Sequence, residues 1–283
     1  MSEPKAMSVE SLLSQAAQLP SIPKVVQELL TSFDDPTVDT ATIASKIALD
    51  QALTAKVLRL ANSSFYGGTR RIASAQDAVV FLGQDALRTL VLASGVTGAF
   101  KAPPGFDLNQ FWRRSFIVAG LCKWLVRRGE LKSRNPETAF TAGMLHDVGN
   151  LLLHTLEPGR MKIVDDAVAA GAPRGDSERQ IFGCTSVEIG AELTRRWRFP
   201  DNLCRAVAEQ IAPLTVREPN PYAILAHLGK SLYTLVIGKQ PASAIAEVLD
   251  TAIVSALALD INKLQLHWPE TAELGRDMEE LLS

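Results

Sequence analysis

Apolar residues recur along the chain at steps of three and four, and no stretch alternates as a strand would. Proline and glycine punctuate this pattern at intervals suited to helices. Segment 8–18 reads as a first amphipathic helix, closed by Leu19-Pro20. Ser21 is a candidate cap for a second helix, which carries Val25, Val26, Leu29 and Leu30 and stops near Asp34-Asp35-Pro36. A short helix fits 40–48, and Asp50 caps another with Leu53, Val57, Leu58 and Leu60 on its apolar face. Ser74 with Asp77 makes a capping box for a short helix that Gly83 ends; a low-charge helix follows over 86–100. The stretch Lys101–Gly105, with Pro103 and Pro104, is the best internal hinge.

A second set begins at Asp107 with Gln110. Its first helix holds Phe111, Phe116, Ala119 and Cys122 and ends at Gly129. Asn135-Pro136 is a cap followed by proline at the first helical position. Further helices fit 145–156, 160–170, 186–197, 201–211, 222–237 and 242–259, with Thr185 and Glu188 as another capping box. The pattern therefore predicts an all-α protein of two helical lobes divided near 101–106, without a repeat of fixed period.

Composition narrows the classes. The 283 residues carry 29 Lys plus Arg against 31 Asp plus Glu, a net charge of −2, which disfavours a protein that grips nucleic acid through bulk charge. Its 47 % hydrophobic content excludes disordered and fibrous classes. Cys122, Cys184 and Cys204 are too scattered for a disulfide framework or a metal knuckle and read as core residues in a reducing compartment. The N-terminus lacks the pattern of a secretory signal. The nearest approach to a membrane span, Tyr222–Gly238, is interrupted by Lys230. The expectation is a soluble cytoplasmic protein without membrane insertion.

No phosphate loop, dinucleotide fingerprint, HExxH, GxSxG or paired-cysteine zinc spacing is present. What remains is GMLHDVGNLLLH, residues 143–154. An adjacent His and Asp in an apolar helical stretch are costly to bury unless satisfied, and both are good ligands for divalent metals. A lone pair of this kind is more often a hydrogen-bonded helix junction than a metal site. His154, in LLLHTL, reads as a hydrogen-bonded histidine.

The stretch AGMLHDVG, after a helix with FWRRSFIVAG, resembles the HD superfamily of metal-dependent phosphohydrolases. The first lobe makes the likeness specific, with LPSIPKVVQELL (19–30), IASKIALDQALTAKVLRLANSSFYGG (43–68) and IASAQDAVVFLGQDALRTLVLA (72–93). With PETAFTAGMLHDVG (136–149) and FGCTSVEIGAELTRRWRFPDNLCRAVAEQ (182–210), the chain resembles the HDOD family, the HD-related output domains, over about residues 15–235. The resemblance implies an N-terminal helical lobe (1–105) packed on an HD-like helical lobe (106–240), with C-terminal helices (241–283) unassigned. It also implies a stand-alone member, since no receiver or kinase domain fits after the match.

The HD pair itself is His146 and Asp147, the two positions that keep metal-ligand types. The histidine that catalytic relatives place on the preceding helix falls near Arg114, which offers no lone pair. A further expected histidine falls at Ser186, and a late aspartate falls near His227; Glu209 and Gln210 stand where relatives often have histidines. An active metallohydrolase needs three or more protein ligands and an open position for water. The resemblance thus implies a vestigial pocket of Arg114, His146, Asp147, Ser186 and His227, with no catalytic residues and no resident cofactor. In it Arg114 replaces the metal's charge and pairs with Asp147, leaving either a structural relic or a site for a small anionic ligand; the other occupant weighed is a divalent metal held by His146 and Asp147 without turnover. The implied role is a non-catalytic bacterial signal-transduction module with other signalling proteins as partners. The alternatives are a divergent metal-dependent phosphohydrolase acting on nucleotides or cyclic dinucleotides, or a nucleic-acid-binding regulator using arginine clusters such as Arg195-Arg196-Trp197-Arg198. That cluster reads first as a helix C-terminus, where cations complement the dipole. The tail from Glu270 to Ser283 is acidic and reads as a solvated helix or an interaction segment.

Overall fold

The computed structural model describes residues 8–14, 19–34, 38–62 and 71–268, together with 271 and 274. Among them every regular element is a helix. The first lobe holds α1 (Val9–Leu13), α2 (Lys24–Asp34), α3 (Thr40–Ala48), α4 (Gln51–Ala61) and α5 (Ala75–Ala99). Helices α2, α3 and α4 pack on α5, around Ile43, Ile47, Val57, Leu87, Val91 and Val96, all fully buried. Helix α5 is broken at Gly83, which sits at φ 75°, ψ 169° and separates the two predicted segments. It is long and apolar enough to cross a membrane, yet this break and the burial of more than half its apolar window mark a core helix.

The second lobe holds α6 (Leu108–Arg128), α7 (Pro136–Leu145), α8 (Val148–Leu156), α9 (Pro158–Ala169), α10 (Arg174–Phe182), α11 (Ser186–Arg196), α12 (Asp201–Glu209) and α13 (Pro221–Ile237). Helix α6 is its axis and packs on α7 and α13. The caps read from sequence are in place. Asp107 accepts from the Gln110 amide, Asn135 from those of Glu137 and Thr138, and Thr185 forms a reciprocal capping box with Glu188. Lys123 on α6 is 2 % exposed and lies 2.5 Å from Glu137 Oε1; burial pulls its pKa down to about 8, against the attraction of Glu137.

The lobes are joined by α5 packing on α7 and by the N-terminus crossing over. Leu12 and Leu13 of α1 are fully buried, and α1 packs on α11. Arg196 donates to the Leu13 carbonyl and the Trp197 indole to that of Pro20.

Four expectations need correction or restriction. Helix α2 begins at Lys24 behind Pro23, so Ser21 does not cap it. Helix α10 was not anticipated: RGDSERQIF is too charged to show an apolar stripe, and it buries Ser177, Glu178 and Phe182. Segment 242–259 is not one helix but a 3-10 turn (Ala242–Ala244), α14 (Ile245–Val248) and α15 (Thr251–Ala256). Leu249 is extended there, and Asp250 caps a new start. A last helix, α16 (Ile261–His267), returns to α6, and Trp268 packs edge-on to Trp124. The predicted helix residues 15–18, the loop 63–70 and most of the acidic tail lie outside the described residues.

The backbones of α8 and α11 meet at Gly149 and Gly190. A Cβ on Gly149 would stand 1.9 Å from the Ser186 carbonyl oxygen and 2.5 Å from the Gly190 nitrogen. Gly149→Ala is therefore expected to cost about 1–3 kcal/mol through overpacking, whereas Gly159→Ala, with nothing within 4 Å of its Cβ, should not. Thermal unfolding of both variants checks this; equal melting temperatures would refute the contact.

Candidate functional site

The His146-Asp147 pair forms the break between α7 and α8. His146 closes α7, and Asp147 takes the N-cap position of α8 without a side-chain capping bond. Its Oδ2 instead accepts from the Asn150 amide at 3.2 Å. The adjoining glycine contact with α11 brings Ser186 to the same region.

His146 is 3 % exposed. Its Nδ1 lies 2.6 Å from the Gly143 carbonyl, so Nδ1 carries the hydrogen and Nε2 presents a lone pair. Nε2 is buried and has no hydrogen-bond partner. Burial lowers the imidazole pKa to about 4; Asp147 opposes the shift, while Lys230 and Arg114 add to it. The ring is thus neutral at physiological pH.

Gln210, fully buried at the end of α12, ties the site to α13. Its Nε2 donates to the His146 carbonyl at 2.6 Å. Its own carbonyl faces His227 Nδ1 at 2.8 Å, and its Oε1 accepts from Lys230 Nζ at 3.4 Å. His227, Lys230 and Tyr233 follow at three-residue steps on one side of α13. The Arg114 guanidinium, on α6, lies over the Tyr233 ring at 5.6 Å.

Ser186 is committed to Glu178. Its amide and hydroxyl both donate to Glu178 Oε2, at 2.8 and 2.9 Å. Glu178 is 1 % exposed; burial raises its pKa, Asp147 adds to the rise, and the Ser186 bonds and Arg174 oppose it. Behind it runs a polar chain. Arg174 Nη1 is 3.8 Å from Glu178 Oε1, Arg174 Nη2 bonds Asp165 at 2.8 Å, and Asp165 meets His154 Nε2 at 2.9 Å. His154 is accordingly a hydrogen-bonded structural histidine.

The expected facing of Arg114 and Asp147 is replaced by another arrangement. No ion pair joins the two among the described residues; Arg114 is exposed and stacked on Tyr233. The other cation near the pair is Lys230, whose Nζ donates to Gln210 Oε1. Burial lowers its pKa, Asp147 and Glu178 oppose that shift, and Arg114 reinforces it. Lys230 sits with His227 and Tyr233 on the half-buried side of α13, next to its apolar face. A lone charge inside the apolar Tyr222–Gly238 stretch was the signal for it. Glu178 had no comparable signal, since it lies in a segment rich in charge.

The fold family implies a divalent metal at this position, and the residues present do not fit one. Asp147 and the His146 Nε2 lone pair are two candidate ligands. Glu178 and Ser186 bond each other, and Lys230 and Arg114 both act as cations on His146. Among the described residues no group of three or more His, Cys, Asp or Glu is placed to hold a metal ion. The five residues singled out from sequence are brought to one end of the α6–α8–α11–α13 packing, but they line none of the large cavity of about 920 Å3 between the lobes.

Comparison with known proteins is consistent with this architecture. A family model described as HDOD domain matches residues 19–213. The chain is similar to a solved protein of Shewanella amazonensis SB2B described as a phosphohydrolase, at 32 % identity and TM-score 0.83, over 96 % of this chain and 98 % of that one. It shares the fold of an HDOD domain protein from Geobacter sulfurreducens, at 22 % identity and TM-score 0.79, over 97 % and 99 %. A signal transduction protein from Marinobacter aquaeolei VT8 is 25 % identical with TM-score 0.75, over 95 % of this chain and 60 % of that one. A Treponema pallidum protein is 22 % identical over 201 residues, and the matched part spans 38 % of its length.

The buried imidazole makes stability depend on pH. A folded pKa of about 4, below the ordinary histidine value of 6.5, means that the unfolded chain takes up the proton first as pH falls. The contribution of His146 is present above pH 6.5 and is lost down to about pH 4, on the order of 3 kcal/mol. His146→Asn can keep a donor to Gly143 and does not titrate, so its urea stability should fall less over this window than that of the wild type. Parallel pH profiles for the two proteins would refute the buried neutral ring.

Proposed function

The chain belongs to the HDOD domain family, and from that premise we propose that it is a non-catalytic regulatory module of bacterial signal transduction, working in the cytoplasm through contacts with other signalling proteins. The observation that carries this reading is the charge at the α7–α8 junction. Where a metallohydrolase needs three or more protein ligands and an open position for water, this chain has one free imidazole nitrogen, one carboxylate and two cations. Such a set suits a small anion better than a divalent metal, since guanidinium and ammonium groups favour phosphate or carboxylate.

Two further features agree with it. The Marinobacter aquaeolei neighbour carries a signal-transduction name. On the first lobe Leu49, Val80 and Phe81 are exposed, at 85 %, 80 % and 40 %, which suits contact with another protein. The phosphohydrolase description of the Shewanella amazonensis relative keeps a divergent metal-dependent hydrolase as the second reading. A nucleic-acid role has less support. In the arginine cluster, Arg195 and Arg196 pair with Glu192, and Trp197 is bonded to the Pro20 carbonyl.

Metal analysis and phosphate titration of the purified protein test the proposal together. The expected result is far less than one Fe, Mn, Co or Ni per chain. Inorganic phosphate should raise the melting temperature of the wild type more than that of Lys230→Met. Stoichiometric metal that is lost in His146→Ala would overturn the non-catalytic reading. An equal phosphate response in both proteins would remove the anion from it.

A further inference from the structure

Helix α1 comes first in the chain but does not pack with the lobe that follows it. It lies on α11 of the second lobe. Ile22, further along the same segment, belongs to the first lobe: its Cγ2 stands 3.2 Å from where a Cβ on Gly95 of α5 would be. The segment between them therefore straps one lobe to the other. Helix α1 is five residues long, too short to hold a helix by itself. Its Ser8 cap accepts from the Ser11 amide at 3.1 Å. Leu12 and Leu13 are fully buried and Val9 is half-buried, at the i, i+3, i+4 spacing of one helix face, while Glu10, Ser11 and Ser14 are exposed.

The seat reads an apolar face and bare backbone. Arg196 donates to the Leu13 carbonyl at 2.8 Å, and the Trp197 indole donates to the Pro20 carbonyl at 3.0 Å. Any chain offers carbonyls, so selection rests on the three apolar side chains. Among the described residues, the polar side chains of α1 and its caps bond only within the segment. This is the form of a peptide laid in a groove, a short amphipathic helix followed by a stretch held through its backbone, except that the peptide is covalently attached. A helix held by one small apolar face and two such bonds belongs to the low-stability end of a fold. Trp197 also joins the seat to the seam between lobes, since its ring stands edge-on to Phe100 at the end of α5, with centroids 6.1 Å apart.

We propose that α1 is a displaceable latch, and that its seat on α11 is the docking site for a short amphipathic helix of a partner protein, with apolar residues at the spacing of Val9, Leu12 and Leu13. The chain's own segment fills the seat in cis. A partner helix that takes the seat releases the Leu13 and Pro20 carbonyls from Arg196 and Trp197, and with them the strap between the lobes. Partner binding is thereby coupled to lobe arrangement, because the seated and released states differ in those contacts. The inference supplies a surface for the protein contacts of the regulatory reading and rests on that reading. Metal and phosphate do not enter its test, so either can fail without the other.

The test titrates a fluorescein-labelled peptide of residues 8–22 with the full chain and with its Leu12→Asp/Leu13→Asp variant, in which α1 cannot seat. The variant should bind the peptide about tenfold more tightly than the wild type or better, because the wild-type seat is already filled by a tethered segment. A peptide carrying the same two substitutions should bind neither protein. Adding Trp197→Phe to the variant keeps the ring, removes the donor to Pro20, and should weaken the peptide about threefold or more. Hydrogen exchange on the wild type gives a readout that needs no variant to fold. The Leu12 amide, bonded to Ser8 within α1, should exchange about tenfold faster or more than the Ile189 amide of α11. The proposal is overturned if the variant binds the peptide no more tightly than the wild type, if the substituted peptide binds equally well, if Trp197→Phe leaves the affinity unchanged, or if Leu12 is protected as well as Ile189.

Discussion

Glu178 on α10 is buried at 1 % exposure, and a carboxylate there needs hydrogen bonds and a positive charge near it. Much of the second lobe is arranged around that requirement. Arg174 stands 3.8 Å from Glu178 Oε1, Ser186 donates two hydrogen bonds to Glu178 Oε2, and Gln210 accepts from Lys230 of α13 while tying its own amide to the His146 carbonyl. The glycine contact between α8 and α11 is what allows Ser186 to come so near. A lysine on a flexible stem can do this without a fixed coordination geometry, so the same helices can keep the packing of a metal-dependent fold with a different source of charge.

His146 shows the consequence for chemistry. Its Nδ1 is fixed by Gly143, leaving Nε2 as a bare lone pair in a buried setting. Beside a metal this nitrogen would be a ligand. Beside Lys230 and Arg114 it is a neutral acceptor in a positive field, and burial together with those charges keeps it unprotonated. The nitrogen has no hydrogen-bond partner of its own.

Helix ends were largely legible in the sequence because caps are local. Asp107, Asn135 and Thr185 each bond amides two or three residues on, so residue type and spacing carry the information. The extended break at Leu249 was not legible, because an apolar residue between two helical stretches gives no turn signal. Helix α10 was missed since its periodicity is carried by Ser177, Glu178 and Phe182, two of which are polar. Within the site, the matched positions pointed to His146, Asp147 and Ser186, but the compensating cation was placed on Arg114. Which of two cations meets a carboxylate depends on how α6, α12 and α13 pack, and that is a tertiary fact. The stacking of Arg114 on Tyr233 and the inward position of Lys230 both follow from it.

The same reasoning separates the two places where this chain could meet a ligand. At the HD junction some polar groups satisfy one another while others, His146 Nε2 and Glu178 Oε1 among them, have no hydrogen-bond partner, and the large cavity does not open there. Between the lobes there is space and an exposed guanidinium at Arg198. The N-terminal crossing segment contributes one wall and is held by Arg196 and Trp197, the residues next to Arg198. That seam, where side chains of α11 and of the turn after it hold the backbone of the N-terminal segment, ties the seating of α1 to the end of α11.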